Sequence, residues 1–168
     1  MKWAPLLIAG LFIAGGTALA QAPELIRVSR FSGKPVPRFE TLKYAQVNGR
    51  AGPSTTEYPV LWEYQRQGLP MLVVKESDKW RRVRDPSGTE VWMHARMLED
   101  GHTAYVKTPI VMRLQPEEAA APVADIGRGV LVDLGPCAAG WCEIRAKDYR
   151  GYAPQAALWG ADPGVLTR

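Results

Sequence analysis

The chain has 168 residues, of which 46% are hydrophobic and 23% charged, and its 21 Lys and Arg against 17 Asp and Glu give a formal net charge of +4. The chain has only two cysteines and two histidines. This count does not favour a structural zinc site, because such a site needs about four ligands. Beyond the N-terminal run, no segment is long and apolar enough to cross a membrane.

Residues 1–20 are the first predicted element. Lys2 precedes an apolar run that ends in Ala18-Leu19-Ala20, the small-x-small pattern that signal peptidase accepts. We therefore expect a signal peptide cleaved after Ala20, with an uncleaved N-terminal anchor as the alternative. A cleaved leader places the mature protein in an oxidising compartment, periplasmic or secreted, without an integral membrane segment.

Residues 21–38 form a basic linker. Removal of the leader leaves 20 basic residues against 17 acidic ones, and the resulting excess of +3 lies in this linker. Its Ser, Gly and Pro residues show no sustained period, which predicts a mobile segment. The linker is either a solvated tail or a contact for acidic wall polymers or anionic lipid. Nucleic acid is not expected, since such a compartment holds little of it and only Phe31 and Phe39 could stack.

Residues 80–93 predict a β-hairpin. Trp80, Arg82 and Arg84 share one face of an extended segment, and a second extended run covers residues 89–93. The intervening residues 85–88 (DPSG) combine a proline that sets φ with a glycine that can close a tight turn. A hairpin with this many apolar side chains belongs in the centre of a small sheet.

Residues 39–100 form a first module around that hairpin. We predict further strands at residues 41–46, 60–64 and 70–75, a long loop after residue 46, and a short helical turn at 95–98. Five short strands within about sixty residues favour a small half-open barrel.

Residues 101–160 form a second, diverged module, and residues 161–168 a C-terminal tail. The module repeats the order of the first, with predicted strands at residues 104–107, 110–113 and 130–134 and a long loop at 116–122. The matching positions are Trp80 with Trp141, Val83 with Ile144, Trp92 with Tyr152, and Leu98 with Leu158.

Residues 135–140 predict a tight connection into Trp141. Cys137 and Cys142 straddle its turn and are expected to form a disulfide, because the protein is expected to be exported. Their C-x4-C spacing is not that of a thiol oxidoreductase. We expect no metal and no cofactor.

The chain is not expected to be an enzyme. A cysteine peptidase needs a thiolate beside a base, whereas both cysteines are expected to be oxidised. No G-x-S-x-G motif is present. Glu57, Glu63 and Glu90 could supply paired carboxylates, but two small barrels offer no deep cleft for a glycan.

Residues 47–54 (VNGRAGPS) resemble the V-N-x-R-x-G-P-S signature of bacterial SH3-like (SH3b) domains. Residues 58–62, 68–70, 80–84 and 88–94 continue this likeness in order, and residues 158–160 (LWG) resemble the end of a secreted two-repeat form common in alphaproteobacteria. The resemblance implies an all-β chain of two tandem SH3-like half-open barrels. Gly49 and Val91 depart from the usual pattern, at positions that we expect in loops or at edges.

Five residues are candidate ligand-binding residues: Arg50, Tyr58, Trp62, Tyr64 and Trp80. The aromatic members exceed what a small barrel can hide, and aromatics left open in a groove anchor peptides or sugars. Alternatively, they form the core face of their strands, and Arg50 hydrogen-bonds the carbonyls of its own loop.

The resemblance implies peptidoglycan or its stem peptides as the ligand. We expect it in a groove between the loop at residues 50–58 and the turn at residues 67–70. A protein-protein adaptor that binds an envelope protein or peptide is the alternative function.

Overall fold

A computed structural model describes residues 27–161. Strands make up nearly all of its regular structure, and residues 27–161 include no α-helix, only two short 3-10 turns at Ala95–Met97 and Gln155–Ala157. The sixteen strands form one two-stranded ladder and two seven-stranded sheets. The all-β class expected from the sequence is confirmed.

The first seven-stranded sheet belongs to the first module and has the order β5-β4-β8-β7-β6-β3-β9. All of its paired strands are antiparallel. Its members are β3 (Arg38–Leu42), β4 (Val47–Arg50), β5 (Val60–Tyr64), β6 (Pro70–Ser77), β7 (Trp80–Arg84), β8 (Glu90–His94) and β9 (Leu98–Glu99).

The second sheet has the order β12-β11-β15-β14-β13-β10-β16. Every strand of the first sheet therefore has a counterpart seven strands later, in the same place in the sheet, and the tandem repeat is confirmed. Its members are β10 (Thr103–Val106), β11 (Ile110–Arg113), β12 (Pro122–Ile126), β13 (Leu131–Ala138), β14 (Trp141–Ala146), β15 (Tyr149–Pro154) and β16 (Leu158–Trp159).

Each module has its own apolar core, which is what two separately folded barrels require. The first core consists of Leu42, Val47, Leu69, Met71, Val73, Val83, Val91, Met93 and Leu98. The second consists of Ala104, Val106, Ile110, Met112, Ile126, Val132, Cys142, Ile144, Ala153, Leu158 and Ala161.

The central hairpin of the first module forms as its sequence predicts. Val83 is fully buried and Arg81 nearly so, whereas Arg82 on the alternate face is exposed. Asp85 closes the turn, because its backbone exchanges hydrogen bonds with Gly88 and Thr89 at 3.0 Å, and its Oδ1 atom accepts from the Ser87 and Thr89 amides. Gly88 has a φ of +91°, which glycine adopts without strain.

Two strand boundaries differ from the prediction. The strand expected at residues 41–46 is β3, which ends at Leu42 because the exposed residues 43–46 turn the chain toward β4. The connection expected at residues 135–140 is mostly strand, since β13 passes a bulge and runs on to Ala138. Its turn needs only Ala139 and Gly140, both with positive φ, which suits a two-residue hairpin.

The described part of the basic linker is folded, unlike the mobile segment that we expected. Its strands β1 (Arg27–Val28) and β2 (Pro35–Val36) pair with each other. The hydroxyl groups of Ser29 and Ser32 both donate to the carboxylate of Glu76, which also binds the guanidinium groups of Arg38 and Arg81 at 2.7 and 3.0 Å. The linker folds because Glu76 offers it a buried charged partner.

The signal peptide predicted at residues 1–20 and most of the predicted tail lie outside the described residues. Within residues 27–161, no helix reaches the length and apolar character that a membrane span requires.

Candidate binding surface of the first module

A patch of exposed apolar side chains lies on β5 and the residue pair that precedes it. We call the group Tyr58, Val60, Leu61 and Trp62 the β5 surface; these side chains are 40, 43, 54 and 57% exposed. Because β5 is the edge strand of its sheet, one side of it has no neighbouring strand among residues 27–161 to cover these groups. Leu61 points to the opposite face of the strand from Val60 and Trp62, and exposed apolar side chains grouped along one edge strand mark a candidate interaction site.

Arg50 shapes the loop in front of this surface. Its Nη1 atom donates to the carbonyls of Tyr58 and Thr55 at 2.9 and 3.3 Å. Arg113 repeats this arrangement in the second module, where its Nη1 atom donates to the carbonyl of Ala120 at 3.1 Å. Of the two alternatives for Arg50, the structure therefore favours the bond to its own loop.

Tyr58 lies directly over Gly52. A Cβ atom built on Gly52 would lie 2.6 Å from the Tyr58 ring, closer than real contacts allow, so only glycine leaves room for the ring. Pro53 follows and fixes the turn. The Gly-Pro pair thus presents Tyr58 at the start of the β5 surface, where the ring is 40% exposed.

Tyr64 belongs to the core side of β5. Its ring packs against the first core, and its hydroxyl donates to Oδ2 of Asp85 at 3.0 Å. Burial and the Asp85 charge both raise the pKa of Tyr64 above its usual value of 10.0. We infer that Tyr64 ties β5 to the central hairpin.

Trp80 does not join the β5 surface. It lies on β7, and strands β4 and β8 separate β7 from β5 in the sheet. Its half-buried ring packs edge-on against His94, with 5.6 Å between the ring centroids. The structure thus joins Arg50 to the Tyr58 carbonyl, places the exposed Trp62 and the half-buried Tyr64 on the same edge strand, and sets Trp80 apart.

The turn expected to form the second wall of the groove contacts the other module instead. Thr103 donates its hydroxyl to the carbonyl of Gly68 at 2.5 Å, and Trp159 donates its Nε1 proton to the carbonyl of Pro70 at 2.9 Å. Arg66 donates to the carbonyl of Gly129 at 2.6 Å. These contacts hold the turn at residues 67–70 against the second module, and the groove expected between this turn and residues 50–58 stays a prediction.

Val60 and Leu61 are exposed members of the surface that sequence reasoning missed. The apolar run at residues 60–62 suggests a buried strand, and only the position of β5 at the sheet edge reveals that both side chains face solvent. No cluster of three or more potential metal ligands occurs within residues 27–161.

Comparison with known families gives two matches within the chain. A family model described as bacterial SH3 domain matches residues 43–100 and again residues 106–160. The first matched segment covers β4 to β9 of the first sheet, and the second covers β11 to β16 of the second sheet. No curated protein matches this chain in sequence.

Among solved structures, two proteins from Trichomonas vaginalis are similar to the chain. NlpC2 is 14% identical with a TM-score of 0.34, and the match covers 74% of this chain and 48% of that one. NlpC1 is 15% identical with a TM-score of 0.35, covering 82% and 51%. The chain thus spans about half the length of these two structures.

Proposed function

Because this chain belongs to the bacterial SH3 domain family, we propose that it is a non-enzymatic binding module of the cell envelope that recognises peptidoglycan through its stem peptides. The proposal includes its export: the leader at residues 1–20 sends the chain to the periplasm or out of the cell. The first module, at residues 39–100, carries the ligand surface. The second module, at residues 101–160, supports it.

The β5 surface is the observation that carries this proposal. Trp62 is the most exposed of its aromatic side chains, and a flat ring that is already open to solvent can cover a peptide or the face of a sugar without losing core contacts. Tyr58 extends the surface by one ring. Arg50 acts indirectly, because its bonds to the Tyr58 and Thr55 carbonyls hold the loop in shape.

Sedimentation with purified peptidoglycan sacculi tests the proposal. The mature chain should sediment with sacculi at low and at physiological salt, and Trp62→Ala should reduce the bound fraction about tenfold, as loss of an aromatic anchor does. Tyr149→Ala is the matched control, because Tyr149 is 55% exposed on the second module, and it should bind like the wild type. A chain that stays in the supernatant, or a Tyr149→Ala variant as weak as Trp62→Ala, would contradict the proposal.

A second candidate function, the protein-protein adaptor, is favoured by the free edge of β5. An exposed edge strand can accept an extended peptide as an additional strand. The corresponding edge strand of the second module, β12, begins with Pro122, which lacks a backbone N–H and so discourages such pairing. Crosslinking in envelope extract should then yield one defined protein partner that Trp62→Ala loses and Tyr149→Ala retains, with no binding to sacculi.

A further inference from the structure

A cleft of about 650 Å³ lies where the two modules meet, away from the β5 surface. Its apolar lining comes from Phe39 of the first module and from Leu134, Pro136 and Ala161 of the second. His102 and Gln155 are its polar side chains. Clefts of this volume at domain junctions are common sites for small molecules.

The aromatic wall of the cleft is held in place by contacts between the modules. Phe39 meets Trp159 edge-on, with 5.2 Å between the ring centroids. The hydrogen bond from Trp159 Nε1 to the Pro70 carbonyl fixes that second ring. The Phe39 ring is therefore held in position without a ligand, and this preorganisation lowers the entropic cost of binding.

The opposite wall is the end of β13, which the disulfide pins. Cys137 lines the cleft and is bonded to Cys142 on β14. A bulge between Leu134 and Cys137 turns this stretch out of the regular ladder, so that Pro136 faces the cleft rather than a neighbouring strand.

Two glycines of the lining allow the chain to pack closely beside the cleft. A Cβ atom on Gly160 would lie 2.7 Å from the carbonyl oxygen of Thr103, and the φ of Gly160 is +108°. A Cβ atom on Gly101 would collide with the side chain of Thr41. Larger residues cannot occupy either position without moving the backbone, so these two parts of the lining are fixed by close packing.

The chemistry of the lining defines what the cleft can hold. Within residues 27–161, the lining contains no acid, lysine or arginine, so a charged ligand would lose its hydration without gaining a carboxylate, ammonium or guanidinium partner from this part of the chain. We propose that the cleft binds an uncharged, mainly apolar small molecule with one or two hydrogen-bonding groups, which His102 and Gln155 can meet. This site is separate from the envelope-binding surface proposed above.

Two fluorescent probes that differ by a single charged group test the proposal on the full mature chain. N-phenyl-1-naphthylamine is uncharged, and 8-anilino-1-naphthalenesulfonate adds a sulfonate to nearly the same rings. The neutral probe, excited directly, should bind once per chain and at least about 10-fold more tightly than the sulfonate, since the charge is buried without a partner. Equal affinities, or tighter binding of the sulfonate, would overturn the proposal.

Substitutions at the rim locate the binding. His102 and Pro136 are both exposed, so His102→Trp and Pro136→Trp should narrow the cleft without unfolding the chain and should each weaken binding of the neutral probe about 10-fold. Asp148→Trp, at an exposed turn, is the matched control and should bind like the wild type. Unchanged binding in both rim variants would place the probe elsewhere and reject the site.

Two further variants distinguish the cleft from the β5 surface and from a pocket filled by the chain's own C-terminal end. Trp62→Ala should leave probe binding unchanged, so that failure of the cleft and failure of the envelope-binding surface can be told apart. A chain ending at residue 161 should bind the probe as the full chain does. Binding that appears only after residues 162–168 are removed would identify those residues as the occupant and overturn the proposal.

Discussion

Gly49 and Val91 share the space of one side chain in the first core: a Cβ atom on Gly49 would lie 2.7 Å from Cγ2 of Val91. The second module fills the same space in the opposite way. Arg50 pairs with Trp92 in the first sheet as Arg113 pairs with Tyr152 in the second. The preceding residues therefore correspond, Gly49 to Met112 and Val91 to Gly151. A Cβ atom on Gly151 would lie 2.7 Å from Cγ of Met112. The loop or edge positions expected for Gly49 and Val91 are thus wrong, since both are buried.

Gly49→Ala should therefore destabilise the first module by about 1–3 kcal/mol, because the new methyl group overpacks the core against Val91. Chemical denaturation measures the loss. Gly127→Ala is the control: a Cβ atom there would meet nothing within 4 Å, and stability should change by less than about 0.5 kcal/mol.

The double variant Gly49→Met with Val91→Gly copies the arrangement of the second module. We expect it to be more stable than the two single changes predict together, by at least about 0.5 kcal/mol. If the stability loss of the double variant equals the sum of the losses of the two single variants, the larger side chain at position 49 does not fill the space vacated at position 91.

Tyr64→Phe should cost about 1 kcal/mol, because it removes the hydrogen bond to Asp85 and leaves the ring in place. Its effect should also depend on pH. Since folding raises the pKa of Tyr64, its contribution to stability is complete below pH 10.0 and decreases as the pH rises beyond it. The free energy of unfolding should fall less steeply above pH 10 in the variant, and an identical slope would contradict the raised pKa.

Glu76→Gln should loosen the folded linker and destabilise the chain by about 3 kcal/mol, since it removes the charge that Arg38 and Arg81 share in a buried position. Burial opposes the charge on Glu76, but hydrogen bonds from Ser29, Arg38 and Ser32 outweigh it and hold its pKa below the usual 4.5. The stabilisation is therefore complete above pH 4.5 and is lost as the pH falls through the lowered pKa.

Hydrogen exchange of the amides of residues 27–36, expressed as protection relative to an unfolded peptide at each pH, measures this loss. The protection of the wild type should decrease toward that of the variant as the pH falls below 4.5. Glu63→Gln, at an exposed position of β5, should keep the protection of the wild type at each pH, and equal protection of Glu76→Gln and the wild type at pH 7 would refute the role of the buried charge.

Replacement of Cys137 and Cys142 by serine should cost about 2 kcal/mol, because the disulfide closes only a short loop. Denaturation with and without a reductant measures it. The reductant should lower the stability of the wild type by a similar amount and leave the double serine variant unchanged.

Trp159→Phe should weaken the contact between the modules, because the ring stays against Phe39 while the hydrogen bond to the Pro70 carbonyl is lost. A loss of about 1 kcal/mol is expected. Calorimetry should show the modules unfolding less cooperatively than in the wild type, and an unchanged single transition would argue against this contact.

Local patterns predicted the repeat, the central hairpin and the disulfide. Alternation around Val83 and the DPSG turn depend on neighbours in sequence, and so does the spacing of Cys137 and Cys142. These features form where the sequence indicates them.

Distant contacts decided what the sequence did not reveal. Glu76 orders the linker through Ser29 and Ser32, which lie 47 and 44 residues earlier. Trp159 donates a hydrogen bond to the Pro70 carbonyl across 89 residues, and the local sequence around these two residues does not indicate this contact. The same holds for Trp80, whose spacing from Trp62 cannot show that two strands lie between them.

The contacts of Thr103 and Trp159 with the turn before β6 also bear on the order of assembly. The carbonyl of Gly68 finds its partner only after Thr103 has been made, and the carbonyl of Pro70 only after Trp159 has been made. Until then these two carbonyls of the first barrel lack their hydrogen-bond partners. A truncated or stalled chain would therefore leave this side of the first barrel uncovered, and the two barrels complete each other's hydrogen bonding.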